Sequence, residues 1–176
     1  MKLFLTSYLA GAKELVQNFL TQNDVQEILF IPTAANVEEY RDYVDEGIAV
    51  LKENGYDVTI LDVATTPHNK SVQAIKNSRC LCISGGNTFY LLQELKRNGL
   101  LDLIKQKVQD GMLYIGESAG AIIACPDISY NQIMDDKTIA TELTNYSGMG
   151  LVDYYVLPHN GEFPFVETTA QTIKVY

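Results

Sequence analysis

The fold is decided by the stretch Leu113-Tyr-Ile-Gly-Glu-Ser-Ala-Gly-Ala-Ile-Ile-Ala124. Residues 112–115 form a short apolar run that is typical of a buried strand, and residues 121–124 are good material for a buried helix. Between them lies Gly-Glu-Ser-Ala-Gly, and the order strand, G-x-S-x-G, helix is that of a nucleophile elbow. The pattern predicts a sharp turn that lifts the hydroxyl of Ser118 above the edge of a sheet.

The two glycines of this motif have a steric reason. In so sharp a turn the backbone before and after the serine packs closely, which leaves no room for Cβ atoms. The first amides of the helix, together with the positive end of its dipole, suit a developing oxyanion. The alternative interpretation is a turn of small residues with an incidental serine, and the five residues alone do not separate the two. The strand before the motif and the helix after it favour the elbow.

Composition sets the class of protein. A chain of 176 residues fits one domain, residues 1–176, that is large enough to bury a core. The net charge of −9 argues against a nucleic-acid or membrane partner, is a mild indication of a substrate with a free amine, and is equally consistent with solubility. Three cysteines without metal spacing to a histidine are best explained as reduced core thiols. We therefore expect a cytoplasmic protein.

Apolar runs and helical periodicities alternate along the whole chain. Strands are predicted at residues 2–6, 27–31, 57–61, 79–83, 112–115 and 152–157, and helices at 11–20, 37–54, 68–76, 89–96 and 100–109. The strands up to the elbow are short and continuously apolar, as in strands that are buried on both faces. The sequence therefore predicts an α/β fold, a three-layer sandwich with a mostly parallel sheet between helices.

Two features fall where predicted strands end, which is where open α/β sheets place their sites. Gly85-Gly86-Asn87 follows the strand at 79–83, and its amides can approach a substrate closely; it lacks the spacing of a dinucleotide or phosphate motif. His159 follows the strand at 152–157, and its position after Ser118 favours a general base over a structural role in a Pro-His turn. His68 lies in a polar segment and is interpreted as a solvated residue.

Four segments together resemble one known family. They are Phe-Ile-Pro-Thr-Ala-Ala at 30–35, Gly-Gly-Asn-Thr-Phe at 85–89, Gly-Glu-Ser-Ala-Gly-Ala at 116–121 and Pro-His at 158–159. Their order and approximate spacing are similar to those of the peptidase E (aspartyl dipeptidase) family, the S51 serine peptidases.

The resemblance implies a flavodoxin-like, class I glutamine-amidotransferase-like fold and the cleavage of short peptides. It assigns Ser118 as nucleophile, His159 as base, and the amides of Gly86 and Ala119 as the oxyanion hole. It implies a small peptide substrate. Acyl transfer by a serine and a histidine needs no metal or organic cofactor, and we expect a monomer or homodimer.

The sequence departs from the family pattern in three places. Family members have an arginine after the histidine that is thought to hold the substrate carboxylate, whereas residues 160–176 contain only Lys174 as a basic residue. This argues against an aspartate-specific pocket. Family members also usually continue through further strands, so we expect either a short protein or a C-terminal end that is incomplete relative to the family. The acid that orients His159 is open: Asp135, Asp136 and Glu162 are candidates, and a Ser-His dyad is the alternative.

Two other functions fit parts of the pattern. One is an esterase-like α/β-hydrolase, although the chain is short for that fold and only 41 positions separate Ser118 from His159. The other is a binding protein that keeps the fold without catalysis. The peptidase interpretation predicts activity that rises with pH through one ionisation near the ordinary histidine pKa of ~6.5.

Overall fold

A computed structural model describes all 176 residues of the chain. Five parallel strands form one sheet in the spatial order β1-β5-β4-β2-β3. They are β1 (Leu3–Thr6), β2 (Glu27–Ile31), β3 (Asp57–Ile60), β4 (Cys80–Ile83) and β5 (Leu113–Glu117). The prediction of a parallel α/β sheet is confirmed, and these five strands lie within two residues of their predicted bounds.

Seven α-helices connect or cover the strands. They are α1 (Lys13–Thr21), α2 (Asp42–Glu53), α3 (His68–Asn77), α4 (Thr88–Arg97), α5 (Leu101–Gln109), α6 (Ala119–Ile122) and α7 (Val166–Val175). The predicted start of α2 at Val37 is wrong. Val37 ends a 3₁₀ helix that begins at Thr33, and Glu38 is extended, with φ −95° and ψ 140°. The backbone therefore has to turn before α2 can begin. None of the helices combines the length and the apolar composition that a membrane span requires.

The helices form two layers, one on each face of the sheet. Alternate residues of β2 face opposite sides: Ile28 and Phe30 pack with α1 and α2, whereas Leu29 and Ile31 pack with α3, α4 and α5. The thiols of β4 share the α1 and α2 side, and all three cysteines are buried and free, as predicted. Burial on both faces is why these strands are continuously apolar, and it produces the predicted three-layer sandwich.

The predicted strand at 152–157 is not formed. Residues 151–154 bend, and the backbone of Val156 bonds to side chains instead of to a neighbouring strand: its N–H donates to Cys125 Sγ at 3.2 Å, and its carbonyl accepts from Tyr130 Oη. Tyr154 and Tyr155 are exposed, so the apolar run does not reflect burial. His159 consequently lies in a turn and does not follow a strand.

Sheet order brings the ends of three strands together at the site. Strand β5 lies between β1 and β4, with Thr6 opposite Glu117 and Ile83 opposite Gly116. Because all strands are parallel, the loops after β1, β4 and β5 meet at one edge of the sheet. These loops carry Ser7, Gly86 and Ser118.

Candidate active site

The serine of the elbow lies between β5 and α6 in a strained backbone conformation. Ser118 has φ +46° and ψ −104°, a combination that L-residues rarely adopt. Its N–H donates to the carbonyl of Thr6 at 2.9 Å, which ties the turn to β1. A Cβ atom on Gly116 would lie 2.5 Å from the carbonyl oxygen of Gly120, so the turn can be this tight only with glycine at that position. The elbow geometry predicted from the sequence is therefore present.

The hydroxyl of Ser118 faces the imidazole of His159. The distance from Ser118 Oγ to His159 Nε2 is 3.0 Å, and both residues are half-buried. The backbone N–H of His159 donates to Ser7 Oγ at 3.0 Å. Its ring stacks on Phe165, with centroids 4.5 Å apart and planes inclined by 26°. The structure thus brings together the two residues that the sequence predicts as nucleophile and base, although they lie 41 positions apart in the chain.

The surroundings of His159 favour its neutral form. Burial lowers the pKa of His159 below its ordinary value of 6.5, because the charged imidazolium loses hydration. A neutral ring with an unprotonated Nε2 can accept the proton of the serine hydroxyl. This is the protonation state that a general base needs near neutral pH.

None of the three acids proposed as orienting residues contacts the imidazole. Asp135 Oδ2 instead accepts from the Thr88 N–H and from Asn131 Nδ2, each at 2.8 Å, so it fastens its loop to the start of α4. Asp136 bonds to Thr138 as the N-cap of a short 3₁₀ helix. Glu162 is exposed, and only its backbone N–H reaches His159, at the carbonyl oxygen.

Alanine at Asp136 or Glu162 is therefore expected to change kcat/KM by less than about threefold, since neither side chain holds the base. Loss of the orienting acid lowers kcat by about 10⁴-fold in the Ser-His-Asp triad. Kinetics therefore separate an orienting acid clearly from a carboxylate without that role. Asp135→Ala is expected to destabilise the protein by about 1–3 kcal/mol through the two lost hydrogen bonds. Steady-state kinetics and thermal unfolding of the three variants measure this. A loss above 10³-fold in the Asp136 or Glu162 variant contradicts the dyad geometry.

A second loop approaches the elbow from the end of β4. Gly86 has φ +128°, and a Cβ atom there would lie 2.3 Å from the carbonyl carbon of Ala34, so only glycine fits against the segment that follows β2. Asn87 caps α4 by accepting from the Tyr90 N–H. The amides of Gly86 and Ala119 donate to no acceptor within the protein. Both are therefore free to bind a substrate oxygen, and their role as an oxyanion hole stays a prediction.

The sequence interpretation missed several residues that shape the site. Glu117 is buried directly before Ser118, Ser7 supports the backbone of His159, and Phe165 stacks on the His159 ring. A signal existed for Glu117, because a charged residue that ends a continuously apolar strand is unusual. No local pattern marks Ser7 or Phe165, since each acts through a contact that only the tertiary fold creates.

A cavity of about 1000 Å³ surrounds the Ser118–His159 pair. Aromatic side chains line part of it, including Tyr40, Tyr43 and Phe163. Its carboxylates are Glu38, Glu46, Glu117, Asp135, Asp136 and Glu162, and no lysine or arginine lines it. His68 lies elsewhere, exposed at the start of α3, with Nδ1 3.0 Å from the carbonyl oxygen of Asn98.

A parallel three-layer sandwich with a strained elbow, and a serine–histidine pair at the edge of the sheet where that elbow lies, defines a class of hydrolase with a nucleophile elbow. The model of peptidase family S51 matches residues 3–176. An uncharacterized peptidase of Pasteurella multocida is 41% identical over 175 residues, which are 99% of this chain and 84% of that protein. Peptidase E of a Nostoc species is 35% identical over 86% of this chain and 59% of its own length.

The fold comparison agrees. A crystal structure of a candidate peptidase E protein from Listeria monocytogenes superposes with a TM-score of 0.96 at 42% identity, covering 100% of this chain and 88% of that one. The chain belongs to peptidase family S51. It is a serine-type peptidase, and the esterase-like and non-catalytic alternatives receive no support from these relatives.

Proposed function

We propose that the protein hydrolyses short peptides with Ser118 as nucleophile and His159 as general base. The observation that carries the proposal is the 3.0 Å contact between Ser118 Oγ and His159 Nε2 at a strained elbow within the large cavity. A distance of this length allows direct proton transfer between the two side chains. A cavity of about 1000 Å³ suits a ligand of a few residues.

The reaction follows from the positions of these groups. Ser118 Oγ attacks the scissile carbonyl carbon while His159 Nε2 takes the hydroxyl proton, and the carbonyl oxygen becomes an oxyanion near the amides of Gly86 and Ala119. The C–N bond breaks as His159 returns the proton to the leaving amine. Water then attacks the acyl-enzyme, losing its proton to His159, and Ser118 regains its hydroxyl as the acid product leaves.

The charge of the cavity favours one kind of substrate. With six carboxylates and no basic side chain other than His159, the lining attracts a free α-amino group and repels an acidic side chain. This supports amino-terminal recognition of the peptide. It does not support a pocket for amino-terminal aspartate, in agreement with the missing arginine after His159.

Dipeptides with amino-terminal aspartate are therefore expected not to be preferred. The kcat/KM for Asp-Leu should not exceed that for Ala-Leu by 100-fold, whereas a desolvated arginine–carboxylate pair provides discrimination of about 10²-fold or more. Asn-Leu is the matched substrate, because it has the shape of Asp-Leu without the charge, and it should be cleaved at least as fast. A preference for Asp-Leu over Ala-Leu of more than about 100-fold contradicts this expectation.

A further inference from the structure

Glu117 is a buried carboxylate that takes no part in the proposed reaction steps. It is the last residue of β5 and is 1% exposed. Oε1 accepts the N–H of Leu9 at 2.7 Å, and Oε2 accepts the N–H of Gly85 at 3.3 Å. No lysine or arginine pairs with it; the one ion pair of the structure joins Arg97 to Glu94. Burying a carboxylate without a cation is costly, so backbone amides are its sole compensation.

The two amides belong to the loops that complete the site. Gly85 directly precedes Gly86, whose amide faces the proposed oxyanion. Leu9 lies two residues after Ser7, whose hydroxyl accepts from the backbone of His159. Glu117 itself directly precedes Ser118 in the chain. One carboxylate therefore connects the segments that carry the nucleophile, an oxyanion amide and the support of the base.

We propose that Glu117 is a positioning residue whose ionised carboxylate holds the Gly85–Gly86 loop and the loop after β1 in register with Ser118. The proposal rests on the proposed function of Ser118 and His159. Both partners of Glu117 are N–H donors, so both of its oxygens have to accept. A glutamine side chain or a protonated carboxyl presents a donor to one of the two amides, and that loop is then no longer held.

The charge of Glu117 changes near neutral pH. Burial raises the pKa of Glu117 to about 7, the nearby Glu46 of α2 raises it further, and the bonds from Leu9 and Gly85 oppose the shift. The other titratable groups that face it are Tyr8, Tyr43 of α2 and Cys82 of β4, whose pKa values are also raised, so they stay uncharged.

Ionised Glu117 and neutral His159 are both needed for the active arrangement. A group with a raised carboxyl pKa gains its proton as the pH falls through about 7, and His159 gains one below 6.5. Two groups therefore gain protons on the acidic side of the pH–activity profile. On this acidic limb the slope of log activity against pH approaches two.

The test compares Glu117→Gln with wild type. We expect kcat to fall by about 10- to 100-fold because an oxyanion donor is misplaced, with KM changed by less than about threefold. The slope of the acidic limb should fall from two to one. Glu94→Gln is the matched control, since Glu94 is 2% exposed on α4, outside the cavity; it should keep both the rate and the slope. A kcat within twofold of wild type in Glu117→Gln overturns the proposal.

A second measurement does not depend on activity or on folding of the variant. In ¹⁵N-labelled wild-type protein the amide resonances of Leu9 and Gly85 should titrate together with a midpoint near 7. If the two amide resonances do not titrate together, the proposal is overturned, even if the Glu117→Gln variant does not fold. Failure of the proposed function is distinguishable, because it appears as full activity in Ser118→Ala. If Ser118→Ala is inactive while Glu117→Gln is normal, only the positioning role of Glu117 fails.

Discussion

Replacing Ser118 with alanine is expected to lower kcat/KM for dipeptides by about 10³- to 10⁶-fold, the range typical for removal of a nucleophile. The change removes one hydroxyl from a half-buried side chain. Alanine tolerates the positive φ of the elbow no worse than serine does, so the fold should be unchanged. Steady-state kinetics give the loss, and circular dichroism with thermal unfolding checks the fold.

Ser78→Ala is the matched control for this variant. Ser78 is half-buried and bonds to the carbonyl of Cys80 at the amino end of β4, the opposite edge of the sheet. It should retain wild-type activity and wild-type labelling by a fluorophosphonate probe, while Ser118→Ala should lose both. If Ser118→Ala keeps more than a tenth of the activity, the nucleophile has been assigned incorrectly.

His159→Ala is expected to cause a loss similar in size to that of Ser118→Ala, because the serine hydroxyl is left without a proton acceptor. His68→Ala, on an exposed residue of α3, should be fully active and is the control. Burial lowers the pKa of His159, so its neutral form predominates at pH 6.5 and above, and the loss of activity that is due to protonation of His159 occurs below pH 6.5. Titration of the imidazole resonances measures this midpoint, with His68→Ala assigning the two signals.

A His159→Ala enzyme with wild-type kcat/KM contradicts this role. An imidazole midpoint well above 6.5 contradicts the dyad, because an acid bonded to the far nitrogen of the ring raises the pKa of histidine.

The elbow and the sheet could be predicted because their signals are local. In residues 112–124 strand, glycine, serine and helix signals follow one another within a few positions, and the continuous apolar character of β2 and β4 reflects burial on two faces. The stretch at 152–157 has a similar composition and forms no strand. Its tyrosines are exposed, and the backbone of Val156 hydrogen-bonds to the side chains of Cys125 and Tyr130. Only the tertiary fold brings these groups together.

The finer parts of the site depend on contacts across the chain. Whether Asp135 or Glu162 reaches His159 is decided by loop paths, and composition gives no information on these. Glu117 bonds to amides 108 and 32 positions away, so its burial is invisible in the motif that contains it. The sequence consequently predicts one ionisation in the acidic limb, whereas the structure leads us to expect two.

Ser118 and His159 are restrained very differently. Ser118 directly follows β5, a strand with hydrogen-bonded neighbours on both sides, whereas His159 follows seven residues, 152–158, that belong to no helix or strand. That segment is held by the backbone bonds of Val152 and Val156 and by packing of Tyr155 on Tyr130. Such segments open in local fluctuations that require much less free energy than global unfolding. We therefore expect loss of activity and loss of the fold to be separate events: mild denaturant or heat should displace His159 while the sheet, with its elbow, remains native.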